Sequence, residues 1–287
     1  MATAQRTKAS EKQSLSKKLV ALLKKRYKTP VPAHNRPVLQ TLLYAVCLEN
    51  ASYEQADTAY DRLRGHFEEL SEIRLNEVRV SSITELMHAF QSLPAPEMRA
   101  LRVRSILQYV FEDHYQFEFE TLRKKTLEAA TRQLQKIQGL SQFVQDHTLQ
   151  AGLGSHVVPI DDAMGRACVW LGLAEPHATP TQISESLKPA LRKADAPLFC
   201  HLLRCLATDP RLSDAFDPKL HPPPEEGHDP DTAAERLTAL LTQAKSAKAG
   251  RKRKTDDKSP PREKKSARNA AARNRSSRKG TGTASRR

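Results

Sequence analysis

Residues 134–173, LQKIQGLSQFVQDHTLQAGLGSHVVPIDDAMGRACVWLGL, constrain the fold more than any other stretch of the chain. Leu127, Ala130, Leu134 and Ile137 recur at helical spacing and predict one helix. Gln138-Gly139-Leu140-Ser141 breaks it, and Gly139 supplies the positive φ that a tight turn asks for. A second helix is expected over about 142–153, closed by Gly154 in the left-handed position after a helix. Val157-Val158-Pro159-Ile160 is apolar and extended, because Pro159 cannot donate to a helix and biases its predecessor away from one. Asp161 and Asp162 then open a third helix whose buried stripe is Ala163, Ala167, Trp170 and Leu171.

Helix formers dominate the rest, glycine is scarce, and no stretch alternates like a strand, so the chain should be all-α. A basic amphipathic helix is expected over 10–27, facing inward through Leu19, Leu22 and Leu23. After prolines 30, 32 and 37 comes a strongly apolar helix carrying Val38, Leu39, Leu42, Leu43 and Val46. A polar elbow, Glu49-Asn50-Ala51-Ser52, leads to a helix with Ala56, Ala59, Tyr60, Leu63 and Phe67. Ser82 with Glu85 reads as a capping box. The helix from Pro96 buries Val103, Ile106, Leu107, Val110 and Phe111, with Arg99, Arg102 and Arg104 assigned to its solvated faces. Thr179-Pro180 starts a further helix, and Leu198, Phe199, Leu202, Leu203 and Leu206 mark another.

Charge is unevenly spread over a chain of net charge +14. Residues 246–287 hold sixteen Lys/Arg against three Asp/Glu, +13 in all, which leaves the body near neutral. That segment lacks large apolar residues and is expected to be disordered. A polycation of this kind binds nucleic acid through counterion release, with Arg251, Lys252, Arg253, Lys254, Lys264 and Lys265 as its basic runs. The same runs suit a solubility tail or another acidic partner. No apolar run reaches the length of a membrane span, and the opening MATAQRTKASEKQ has no apolar core of a secretory signal. Cys47, Cys168, Cys200 and Cys205 lie in apolar helical patterns, which favours buried free thiols.

A glycine turn between two helices presents backbone N–H groups and a helix N-terminus to phosphate. The layout resembles the helix-hairpin-helix DNA glycosylases of the endonuclease III superfamily (HhH-GPD). Their hairpin reads roughly Leu-Pro-Gly-Val-Gly-Arg-Lys, followed by a Val-Asp step before a helix. The matching pieces are residues 137–143, Ile-Gln-Gly-Leu-Ser-Gln-Phe, and Pro159-Ile160-Asp161. Ala59-Tyr60-Asp61-Arg62-Leu63 matches the Ala-Tyr-Glu-Arg-Leu helix of the same family. The resemblance covers roughly 15–210 and implies a two-lobed helical glycosylase with Gly139, Leu140, Ser141 and Gln142 as the DNA-binding hairpin. It makes Asn50 the candidate that fills the gap left by a flipped base; a plain helix–helix turn explains that residue equally well.

The sequence departs from the family at three places. The nucleophilic hairpin lysine falls on Phe143, so Schiff-base chemistry is not expected; Lys136 lies a turn away. Of the cysteines that close a 4Fe–4S cluster in many members, only Cys200 and Cys205 fall in the region, so no cofactor and no metal are expected. Ser141 replaces the second hairpin glycine. Asp161 remains as the catalytic candidate, able to balance positive charge on the sugar and orient water. An aspartate there also caps a helix, and one residue can do both.

The expected organisation is a disordered start at 1–9 and an HhH-GPD-like domain at 10–220, with the hairpin unit at 126–153 and the aspartate loop and helix at 154–173. A Pro-rich linker at 221–230, an amphipathic helix at 231–245 and the disordered tail at 246–287 follow. The functional expectation is a monofunctional DNA glycosylase of base-excision repair, acting on duplex DNA as a monomer. The alternative is a non-catalytic DNA-binding protein on a degenerate HhH-GPD fold. A cytoplasmic, nucleoid-associated location is expected, or a nuclear one in a eukaryote.

Overall fold

The first helix of the computed structural model, which describes residues 2–32, 35–65 and 71–256, begins earlier than its apolar pattern suggests. α1 spans Ala2–Arg26, so 2–9 are helical where the sequence suggests disorder. The Ala, Gln, Arg and Lys of that stretch are all good helix formers and carry the helix past its apolar stripe.

α2 (Val38–Leu48) is apolar all round, and every residue of it except Gln40 is buried, as a helix of that composition requires. α3 (Tyr53–Arg64), α4 (Glu72–Val80), α5 (Ile83–Phe90), α6 (Pro96–His114), α7 (Leu127–Leu134) and α8 (Gln142–His147) follow. α8 continues into a π turn, Thr148–Gly152, before Gly154 at φ 66° ends it. Serine and threonine hydroxyls start these helices: Ser52 and Ser82 form full capping boxes with Gln55 and Glu85, and Ser71, Thr126 and Ser141 cap α4, α7 and α8. α9 (Asp162–Trp170), α10 (Pro180–Leu187), α11 (Ala196–Ala207) and α12 (Ala233–Asp256) complete the set, and every regular element among the described residues is helical.

The helices sort into two packed groups. α2 contacts α3, α6, α8 and the π turn, while α4 and α5 pack on α6. α11 contacts α1 and α9, and α10 contacts the same two helices. The chain divides at residue 246 into two units, and the sites described below lie in the first.

The Pro-rich linker 221–230 is irregular and forms a strap whose backbone lies close to Gly172: a Cβ there would stand 2.7 Å from the His228 carbonyl oxygen. One expectation about the C-terminal part changes. α12 buries Ala233, Leu237 and Leu241 and extends to Asp256, so 246–256, expected to be disordered, is helical backbone carrying Arg251, Lys252, Arg253 and Lys254. Ala, Lys and Arg propensity again accounts for the extension. Phe67, Lys264 and Lys265 lie outside the described residues.

Candidate active site

The elbow after α2 is where the two helix groups meet. Asn50 adopts φ 53°, a left-handed conformation that asparagine tolerates better than most residues, and Ser52 then caps α3. The last carbonyls of α2 are claimed by arginines. Arg99 donates to the Val46 and Glu49 carbonyl oxygens and, at 2.8 Å, to that of Pro94. Arg102 pairs with the Glu49 carboxylate and donates from Nε to the Gly139 carbonyl at 2.8 Å. Arg99, assigned from the sequence to a solvated face, is therefore buried at 3 % exposure. Unpaired carbonyls at a helix C-terminus supply the acceptors, and burial holds its guanidinium below the usual range.

Asp161 sits at the N-cap of α9, and Oδ1 accepts from the Met164 N–H at 2.9 Å. Oδ2 accepts from the Asn50 N–H at 2.8 Å and pairs with Arg204 Nη2 at 2.8 Å. The Asp161 side chain is 1 % exposed and that of Arg204 3 %. Arg204 Nη1 donates to the carbonyl oxygens of Leu48 at 2.7 Å and Ala51 at 3.1 Å. Its guanidinium lies 4.7 Å from the centre of the Phe143 ring. Phe143, the aspartate and a buried arginine thus form one closed cluster at the seam.

Asn50 has its side chain in this arrangement. Its Oδ1 accepts from the Ala163 N–H at 3.0 Å and its Nδ2 donates to Asp162 Oδ2 at 3.3 Å, so Asn50 helps Asp161 to cap α9. The structure brings Asn50 and Asp161 together as neighbours. Arg204 is not among the residues that the sequence singles out, although a lone charge among Leu202, Leu203 and Leu206 is a signal that it needs a buried partner.

The hairpin turn is exposed at Gly139 and Gln142 and half-buried at Leu140 and Ser141. Gly139 has φ 72° and no atom within 4 Å of where a Cβ would stand, so its need for glycine is conformational. The Ser141 hydroxyl accepts from the Val144 N–H at 3.3 Å, which gives the serine a capping role in place of a second glycine. Gln142 is exposed and donates to Asp146 Oδ1 at 2.9 Å, while the Leu140 carbonyl accepts from Gln145. Lys136 is exposed on the same turn.

The four cysteines are free thiols, Cys205 half-buried and the others buried. Burial pushes Cys47 and Cys200 up to about 12 and Cys205 up to about 11, which disfavours the thiolate that metal binding needs. His201, between the last two, has Nε2 3.1 Å from the Thr29 carbonyl oxygen and serves the packing of α11.

Helix order, the glycine hairpin and an N-cap aspartate at the seam define a helical DNA-glycosylase fold of the endonuclease III type. The chain is similar to endonuclease III in a trapped covalent DNA intermediate, at 12 % identity and a TM-score of 0.51, over 68 % of this chain and 85 % of that one. It is similar to the H. pylori 3-methyladenine DNA glycosylase MagIII bound to 1,N6-ethenoadenine, at 16 % identity and a TM-score of 0.50, over 67 % and 94 %. A non-covalent endonuclease III–DNA complex matches at 14 % identity and a TM-score of 0.51, over 76 % and 95 %. No family model matches the sequence, and no curated protein does.

Proposed function

We infer that the protein binds duplex DNA on a glycosylase fold and, as folded, does not excise a base. The observation that carries this reading is the Arg204–Asp161 pair, 2.8 Å long and closed off from solvent over Phe143. A carboxylate that is to stabilise positive charge on a sugar must approach that sugar. Here both Asp161 oxygens are taken by Met164, Asn50 and Arg204, and its side chain is 1 % exposed. Phe143 supplies no nucleophile. Support for DNA comes from the hairpin 139–142, exposed at Gly139 and Gln142, from a fold shared with proteins solved on DNA, and from the +13 segment at 246–287.

A second reading, monofunctional base excision by Asp161, is favoured by one fact: Asp161 and Asn50 meet at the elbow, with the Asn50 N–H 2.8 Å from Oδ2. On that reading Arg204 must leave the carboxylate when DNA binds. A panel of labelled duplexes, each with one damaged base, separates the two. The expected result is binding without alkali-labile strands and without an adduct trapped by borohydride. Deleting 246–287 should flatten the salt dependence of binding, since every phosphate that is no longer neutralised takes about 0.9 off the log–log slope. Lesion-dependent base release by the wild type, abolished in Asp161→Asn, would overturn the binding-only reading in favour of the second; a borohydride adduct would overturn both and make Lys136 the first amine to replace.

A further inference from the structure

The outward face of α9 borders a cavity that neither the hairpin nor Asp161 explains. Asp162, Arg166 and Trp170 stand four residues apart along that face and line one wall. Phe216, from the short turn Ser213–Phe216, and His228, from the strap, line it beside Trp170; the volume is about 340 Å³. Pockets from a few hundred Å³ upward take small ligands, provided that an apolar lining carries a few convergent polar groups. This one has both.

Its walls are built into the fold. Gly172 at φ 70° allows the strap to lie against it, with the backbone of His228 and Pro230 where a Cβ would go. Arg236 of α12 donates to the carbonyl oxygens of Asp229 at 2.9 Å and Trp170 at 3.0 Å, and its guanidinium lies 5.6 Å from the Trp170 ring centre. The Trp170 and Phe216 rings meet edge to face at 5.3 Å, and His228 lies 6.4 Å from Trp170. Burial and the Arg236 charge hold His228 below its usual range, which favours the neutral ring.

We propose that this cavity binds an unpaired nucleobase of a DNA strand together with its phosphate. A flat heteroaromatic ring is the occupant that aromatic walls of this kind hold best, because every base has a face to stack. Asp162 offers a carboxylate acceptor to the exocyclic amine of such a ring. Arg166, exposed one turn further on, offers a guanidinium to the phosphate. A lipid chain would leave both charges without use, and a sugar phosphate without a base would leave the aromatic walls without use. Asp162 also touches Asn50, which places the cavity rim at the same elbow as the closed cluster. The source of the base rests on the DNA-binding reading; the chemistry of the pocket does not.

Trp170 is the single tryptophan of the chain, so its fluorescence reports on this cavity alone. The full-length protein is titrated with a matched duplex, the same duplex carrying one extrahelical adenine, and deoxyadenosine monophosphate, while anisotropy of labelled DNA follows binding. The expected result is saturable quenching of Trp170 by the bulged duplex and by the nucleotide, and binding of the matched duplex without quenching. Arg166→Ala should weaken bulged-duplex and nucleotide binding about tenfold, the size of one charge-assisted hydrogen bond, and leave the matched duplex within about twofold. Because Arg166 is exposed, folding is not at stake. Bulged duplex that binds with unchanged emission, equal quenching by both duplexes, or indifference to Arg166→Ala overturns the proposal. Quenching by the nucleotide with no duplex binding keeps the pocket and removes the DNA reading; no quenching by any probe removes the pocket.

Discussion

Asp161 and Asp162 are chain neighbours of identical chemistry at the start of α9, yet their surroundings differ completely. Asp161 turns inward, is 2 % exposed, and is held by Met164, Asn50 and Arg204. Asp162 turns outward to the cavity rim, with one 3.3 Å hydrogen bond from Asn50. Burial is what separates them. A carboxylate taken out of water needs a cation and hydrogen bonds, and once these are supplied it is fixed in place. A carboxylate on the rim keeps its freedom to meet a ligand. Of the two faces of α9, the inward one has become structure and the outward one remains available for recognition.

The largest effect should come from breaking the inward pair. Arg204→Ala leaves Asp161 buried without its cation and should cost about 3–5 kcal/mol in urea unfolding, through a lower midpoint at unchanged slope. Adding Asp161→Asn to it should recover part of the loss; simple additivity would mean that the two groups do not interact.

The outward face depends on its wall. Gly172→Ala forces a Cβ to 2.7 Å from the His228 carbonyl at a left-handed φ of 70°. The strain and displacement should cost about 2–3 kcal/mol and shift the Trp170 emission as the strap moves. Unchanged emission and stability would mean that the strap does not seal the cavity.

A buried carboxylate without a close cation sharpens the comparison. Asp146 of α8 has Gln142 as its hydrogen-bond donor, and burial pushes its carboxyl up to about 6, with Lys188 only partly opposing. The folded protein then holds this proton to higher pH than the unfolded chain does. Stability from this group therefore falls as pH rises from about 4 to 6, and the penalty is complete above that window. Asp146→Asn should stabilise the protein by about 2 kcal/mol at pH 8 and have almost no effect at pH 4. An equal effect at both pH values would contradict the assignment. The smallest change is expected for Asp162→Asn, about 0.5 kcal/mol from the lost charge in the first helical turn, measured in the same unfolding assay.

How much of this is legible in the sequence follows from the range of each interaction. The capping serines and threonines announce themselves through a residue three positions on, as Ser82 does with Glu85 and Ser52 with Gln55. Gly139 and Gly154 announce their positive φ in the same way, by standing where a helical pattern stops. Composition misleads for 2–9 and 246–256. There polar, charged sequence suggests disorder, although its Ala, Lys and Arg favour helix. The Pro-rich strap is legible only in part: prolines exclude a helix but say nothing of whether the segment packs, which depends on Gly172 and Arg236.

The sequence by itself determined that α9 begins with an N-cap aspartate and that a glycine turn precedes it. Those are statements about a few consecutive residues, settled by backbone hydrogen bonds of short range. Tertiary structure alone decided that Arg204, forty-three residues further on, closes over Asp161 and Phe143, and that Trp170 faces a cavity walled by the strap. The cost of burying a charge can be met by any cation that the fold brings near, and no local pattern names which one it will be.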